Sequence, residues 1–384
     1  MVCTTKDPYK KKSDVKSFFF KKFNSLCYAI FKVYDHEVYF ASACIILNFF
    51  HFAVLCRKPM RTSPIYPIMA FVALMDILVM LYDVNRLAVE IVQEHTDCFS
   101  LEEDFTVQQM EVFWDCFRNY ARRCSTCLSF CITLIRVLVI KYPLNNAFSK
   151  PSTAIYFIIG VILLCAPIHL IDPYRFKIDR YEGDVYWNCD DYPVAYNRYY
   201  YIYDSEFYTG NVQIVAKVHK IADGTISKLL PSISAMIVTV ILIRQMKRMK
   251  NVQSTSKSRL SRTTSKLVLA LTIPYFFAVL PLGVVCVLSP FGFSSKTPDQ
   301  GLRLYAVLGV AERMFSVILV ITTATHLIVC LLMSSVYRKT ARSLIFCWPH
   351  VILISLINTT IFNFSPSESE FPSNSQKGRR IYVC

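Results

Sequence analysis

The sequence predicts an all-α fold, a bundle of seven membrane-spanning helices, and three observations carry that prediction. Seven apolar stretches run roughly over 38–56, 66–92, 114–140, 154–171, 221–243, 267–289 and 304–332. Each comes close to or exceeds the ~20 residues that cross a ~30 Å hydrocarbon layer at ~1.5 Å per residue. Hydrophobic residues make up 54% of the 384, above the ~45–50% of soluble domains. The basic residues behind the net charge of +15 gather mainly between the stretches. Their placement is topological, and no nucleic-acid partner is expected.

The chain divides into an extracellular N-terminal tail over 1–37, a membrane domain over 38–343 and a C-terminal tail over 344–384. The first tail is polar and lysine-rich, with no secretory signal, so the first span serves as its own. Arg57, Lys58 and Arg61 follow span one. Arg244, Lys247, Arg248 and Lys250 follow span five, and Arg338, Lys339 and Arg342 follow span seven. The positive-inside rule puts these alternate loops in the cytoplasm and the N-terminus outside. Lys6, Lys10, Lys11, Lys12, Lys16, Lys21 and Lys22 pull the other way, but the short loops next to the spans weigh more. Residues 172–210 are acidic and tyrosine-rich, either a lid that attracts a cationic, aromatic ligand or a solvated hairpin with packing tyrosines. Leu344–Phe364 is uncharged and long enough for an eighth span. It contains Trp348-Pro349-His350, however, and reads better as a membrane-surface segment or tail. Ser365–Arg380 is polar and expected to be disordered.

Charges inside the spans are the candidates for function. A carboxylate at Asp76, mid-span, costs several kcal/mol unless paired, hydrated or neutralised. Asp83 and Glu90 follow at intervals of seven and share its face. In span three, Arg118 and Arg136 lie about five helical turns apart and align, Arg122 falls ~40° from that line, and Arg123 points away. Snorkelling to the outer interface is the bland reading of both Arg122 and Arg123, but both lie inside the span, and Arg122 is read as a cavity-lining cation. Pro167, Pro231 and Pro281 remove backbone donors and kink their helices. Most of the 15 cysteines lie in apolar segments and act as small hydrophobes. No Cys/His spacing matches a zinc site and no His/Asp/Glu cluster converges. The chain is therefore expected to be no enzyme and to need no metal or cofactor.

Ala121-Arg-Arg-Cys-Ser-Thr-Cys-Leu, Leu134-Ile-Arg136, Ser227-Lys-Leu-Leu-Pro231, Leu280-Pro281-Leu-Gly283 and Ser334-Ser-Val-Tyr-Arg-Lys339 give the chain a marked resemblance. It resembles a rhodopsin-like G-protein-coupled receptor, and more narrowly the nematode serpentine receptors of class w, relatives of FMRFamide- and myosuppressin-type neuropeptide receptors. The resemblance implies a seven-transmembrane helix bundle with a short amphipathic eighth helix, opened by Tyr337. It matches Asn48 to the first-span asparagine, Asp76 to the sodium-site aspartate and Arg136 to the arginine of the Asp-Arg-Tyr motif. Pro143 matches the proline of the second intracellular loop, and Pro231 and Pro281 those of spans five and six. His326 falls where the Asn-Pro-x-x-Tyr motif begins.

The resemblance also has departures. Ile135 replaces the acidic neighbour of the arginine, Val279 the toggle tryptophan and Cys330 the span-seven tyrosine. The family's outer disulfide would join Cys116 to Cys189, with Cys98 the alternative to Cys116. The implied function is transduction of an extracellular neuropeptide, an amidated cationic-aromatic one, to a heterotrimeric G protein from the plasma membrane. Asp83, Glu90, Arg118, Arg122, Asp204 and Glu312 would be the polar ligand anchors. The alternative on the same scaffold is a chemosensory receptor for small external molecules.

Overall fold

A computed structural model describes residues 37–95, 101–142, 146–187, 196–250, 256–292 and 298–345. It contains 7 helices long and apolar enough to cross a membrane. The first four are α1 (Glu37–Leu55), α2 (Ile65–His95), α3 (Leu101–Lys141) and α4 (Pro151–His169). Glu206–Ala222, a π-helical stretch Asp223–Leu229 and Leu230–Lys250 run on as one rod, α5. Then come α6 (Ser256–Gly292) and α7 (Pro298–Met333). A last helix, α8 (335–345), follows a break at Ser334.

The helices outrun the apolar stretches where local chemistry favours extension. α3 begins at Leu101, with Glu102, Glu103 and Asp104 in its first turn, where the positive end of the helix dipole favours carboxylates. At the start of α5, the Tyr208 N–H donates to Ser205 Oγ at 3.3 Å, an N-cap with Glu206 in the first turn. At α8, the Tyr337 N–H donates to Ser334 Oγ at 3.2 Å. The Arg338 guanidinium donates to the Leu331 and Leu332 carbonyls at 3.0 and 2.7 Å, closing the end of α7. Tyr337, Thr340, Ala341 and Leu344 are buried while Lys339 and Arg342 are exposed, so the short helix is amphipathic.

The fold is not purely helical. Strand β1 (Phe176–Trp187) pairs antiparallel with β2 (Tyr196–Asp204), Phe176 opposite Asp204 and Ile178 opposite Ile202. The tyrosine-rich sequence suits a pleated surface. This hairpin is docked rather than free: the Tyr200 N–H donates to Asp104 Oδ2 at 2.5 Å, and the Phe105 and Tyr200 rings sit 5.0 Å apart. Exposed Asp179 accepts from the Arg180 N–H and the Tyr203 hydroxyl, which hold its carboxyl below the usual range.

The largest apolar core joins α1 to α7 around Leu128, Ile135, Leu242, Leu267 and Tyr337. Ile155, Tyr156, Leu163 and Leu164 of α4 stay exposed, an apolar face that lipid covers in a membrane.

Candidate functional site

Adjacent arginines at the middle of α3 turn to different tasks. Arg123 is 4% exposed. Its Nη1 and Nη2 donate to Asp172 at 2.5 and 3.2 Å, and its Nε donates to Asp223 Oδ1 at 2.6 Å. Asp172 opens the one-turn helix Asp172–Arg175 beyond α4, and Asp223 opens the π-helical stretch of α5. Lys228, five residues on, donates to Asp223 Oδ2, a spacing that a π-helical turn brings together. Two cations and two carboxylates thus balance. Arg123 thus does not snorkel: two carboxylates from neighbouring helices compensate its burial. Beside them, His219 Nδ1 and the Tyr208 hydroxyl are 3.1 Å apart, and His219 Nε2 lies 3.4 Å from Asp172. Burial pushes the Tyr208 phenol up to about 12, so it stays neutral at physiological pH.

This cluster walls a cavity of about 230 Å³. Arg122, Arg175 and Lys220 complete its polar side, with Leu282, Cys286 and Ser289 of α6 and Glu312 of α7 opposite. Of the expected ligand anchors, Arg122 and Glu312 are in the lining. Asp83 is buried in α2, outside it. Arg118, also outside, pairs with Asp115 and lies 3.8 Å over the Tyr82 ring. Glu90 is exposed, 3.4 Å from Arg86. Asp204 bonds Arg175 at 2.9 Å and so touches the cavity only through that partner.

Arg122 also lines a deeper chamber of about 20 Å³ with Asp76, Ser125, Tyr275 and Thr323, room for about one water. Ser125 Oγ donates to Asp76 Oδ1 at 2.7 Å, while Asp76 Oδ2 has no hydrogen-bond partner among the described residues. Asn48 Nδ2 donates to Thr323 Oγ1 at 3.4 Å, joining α1 to α7. The Tyr275 hydroxyl donates to Thr126 at 2.8 Å, and Thr133 and Thr272 hydroxyls meet at 3.0 Å, so α3 and α6 are closed by hydroxyl contacts. Among the described residues no group of His, Cys, Asp or Glu could hold a metal ion.

The model of one family, the serpentine-type 7TM GPCR chemoreceptor Srw, matches residues 35–348. The chain belongs to the Srw family. It is thus a GPCR-type receptor and a multi-pass membrane protein. No curated protein matches it. In this Srw receptor, Arg136 is buried near the C-terminal end of α3 beside Ile135, which is 0% exposed and packs in the core. Val279 and Cys330 are likewise core residues. His326 borders an apolar crevice of about 30 Å³ with Pro231 and Tyr275, and Pro281 lies inside α6. His51 Nδ1 and the buried Tyr337 hydroxyl are 2.7 Å apart, tying α8 to α1. Cys116 carries a free, buried thiol, and Cys98, Pro143 and Cys189 lie outside the described residues.

Sequence reasoning missed Asp223, Lys228 and Tyr275, and took Asp172 for a loop charge. The signal for the first two was a five-residue spacing of opposite charges toward the N-terminal end of a span, invisible to a wheel of 3.6 residues per turn.

Proposed function

We propose that this Srw receptor sits in the plasma membrane with its N-terminus outside and senses a small external molecule in the 230 Å³ cavity. It passes the signal to a heterotrimeric G protein. The observation that carries this is the cavity, small and polar, at the hairpin end of the bundle and away from the basic segments after α1 and α5. Drug-sized ligands occupy about 300–1,000 Å³, so the volume favours a small molecule. Five cations in the lining (Arg122, Arg123, Arg175, Lys220 and Lys228) face Asp172, Asp223 and Glu312. That excess repels a cationic amidated peptide, and the family's description as chemoreceptors favours the same side. Arg136, ~20 Å further along α3 from Arg122 at ~1.5 Å per residue, would meet the G protein. A ligand transmits nothing unless it prefers one helix arrangement.

The test is a screen of small molecules and amidated peptides on cells expressing the chain with a promiscuous G protein. Responses confined to small molecules are expected; responses to amidated peptides alone would overturn the chemosensory reading. Arg136→Ala should abolish the response and leave ligand-induced thermal stabilisation intact.

A further inference from the structure

We infer that Arg122 and Glu312 form a clamp for a small zwitterion, the ligand's carboxylate on Arg122 and its ammonium on Glu312; this rests on the receptor reading above. The charges around the cavity are mostly engaged with one another. Arg123 holds Asp172 and Asp223, Lys228 holds Asp223, and Arg175 holds Asp204. Lys220 has an interaction of its own. What remains without an ion pair within 4.0 Å among the described residues is one guanidinium and one carboxylate, although Arg122 also lies within electrostatic reach of Asp83, Glu37 and Asp76. The Arg122 Nε is buried with no hydrogen-bond partner among the described residues. Glu312 forms no ion pair within 4.0 Å among them, although it lies within electrostatic reach of both Arg122 and Lys220.

Arg122 stands on α3 and Glu312 on α7, both in the cavity lining. A buried donor left unmatched is costly, and a ligand carboxylate satisfies it with charge-assisted bonds. A ligand ammonium satisfies the opposing carboxylate. Glu312 is exposed, so water can satisfy its carboxylate, whereas the buried Arg122 Nε needs the ligand; a zwitterion gives both groups a charged partner, and a neutral ligand or a single charge does not. Leu282, Cys286 and Tyr208 offer apolar wall for the ligand's remaining carbon skeleton. The volume of about 230 Å³ limits that skeleton to the scale of a single amino acid.

The experiment uses the full chain and a panel of free amino acids, each with its N-acetyl and methyl-ester derivatives. Binding is read as thermal stabilisation in detergent, and signalling as G-protein activation in cells. At least one free amino acid should bind, and each masked form should lose at least about tenfold in potency, as expected for one charge-assisted contact. Glu312→Gln should weaken the free amino acid at least about tenfold and leave the N-acetyl form unchanged; Arg122→Gln should do the same toward the methyl ester. Silence across the panel, or masked forms as potent as the free ones, overturns the clamp. Signalling by other compounds would then leave the receptor reading standing. Binding without G-protein activation would support the clamp and overturn the signalling role.

Discussion

Removing the Arg123 guanidinium should destabilise the protein far more than the loss of three hydrogen bonds. The side chain is 4% exposed, and Asp172 is 3% exposed. In bilayer proteins single side-chain hydrogen bonds average ~0.6 kcal/mol, so three of them account for about 2 kcal/mol. Leaving a buried carboxylate without its cation costs about 3–5 kcal/mol. After Arg123→Gln, Asp223 keeps Lys228, but among the described residues Asp172 is left with His169 and His219. The charge term therefore dominates, and the ratio of folded to unfolded protein should fall roughly 10²- to 10³-fold or more at ~1.4 kcal/mol per tenfold.

The assay is denaturant unfolding in mixed micelles, run beside cell-surface abundance. Arg123→Gln combined with Asp172→Asn removes both members of the stranded pair and should recover most of the loss. Two results would refute the reasoning: a loss of about 1 kcal/mol or less for the single variant, or no recovery in the double one. The first would mean that water or lipid headgroups already satisfy Asp172. The second would mean that Arg123 acts by filling volume.

Tyr275→Phe removes the 2.8 Å bond to Thr126. At ~0.6–1.7 kcal/mol this loosens α3 from α6 and should raise basal G-protein activation roughly 3- to 18-fold, read as nucleotide exchange on membranes without ligand. Gly224→Ala would bring a methyl 2.8 Å from Val287 Cγ2 and 3.0 Å from its backbone nitrogen, costing about 1–3 kcal/mol in thermal unfolding. Gly160→Ala, with nothing within 4 Å, should leave the melting temperature unchanged or raise it. Tyr337→Phe removes the partner of His51 at 2.7 Å and should speed hydrogen exchange across 335–345 while the spans stay protected.

The bundle was legible in the sequence because the bilayer imposes a length and a hydropathy that no soluble fold demands, and the seven apolar stretches meet both. The short α8 was legible through Tyr337 and the basic residues after it, in the resemblance rather than in periodicity. The hairpin was legible only as an alternative, since its tyrosines fit a lid and a pleated strand equally well. The task of Arg123 was not legible for a specific reason. A helical wheel gives the direction of a side chain from its own helix and says nothing of what stands there. That direction leads to Asp172 at the end of α4 and Asp223 on α5, residues 49 and 100 positions away in sequence. Asp223 reaches inward because α5 passes through a π-helical stretch, and its neighbour Gly224 packs against Val287 of α6 with no room for a methyl. A wheel drawn at 3.6 residues per turn separates Asp223 from Lys228, whereas the wider turn joins them. The same mutual pairing leaves Arg122 and Glu312 as the charges that line the cavity without an ion pair within 4.0 Å among the described residues. The charges legible as ligand anchors therefore depend on charges that were not legible, because an anchor is defined by what its neighbours leave unmatched.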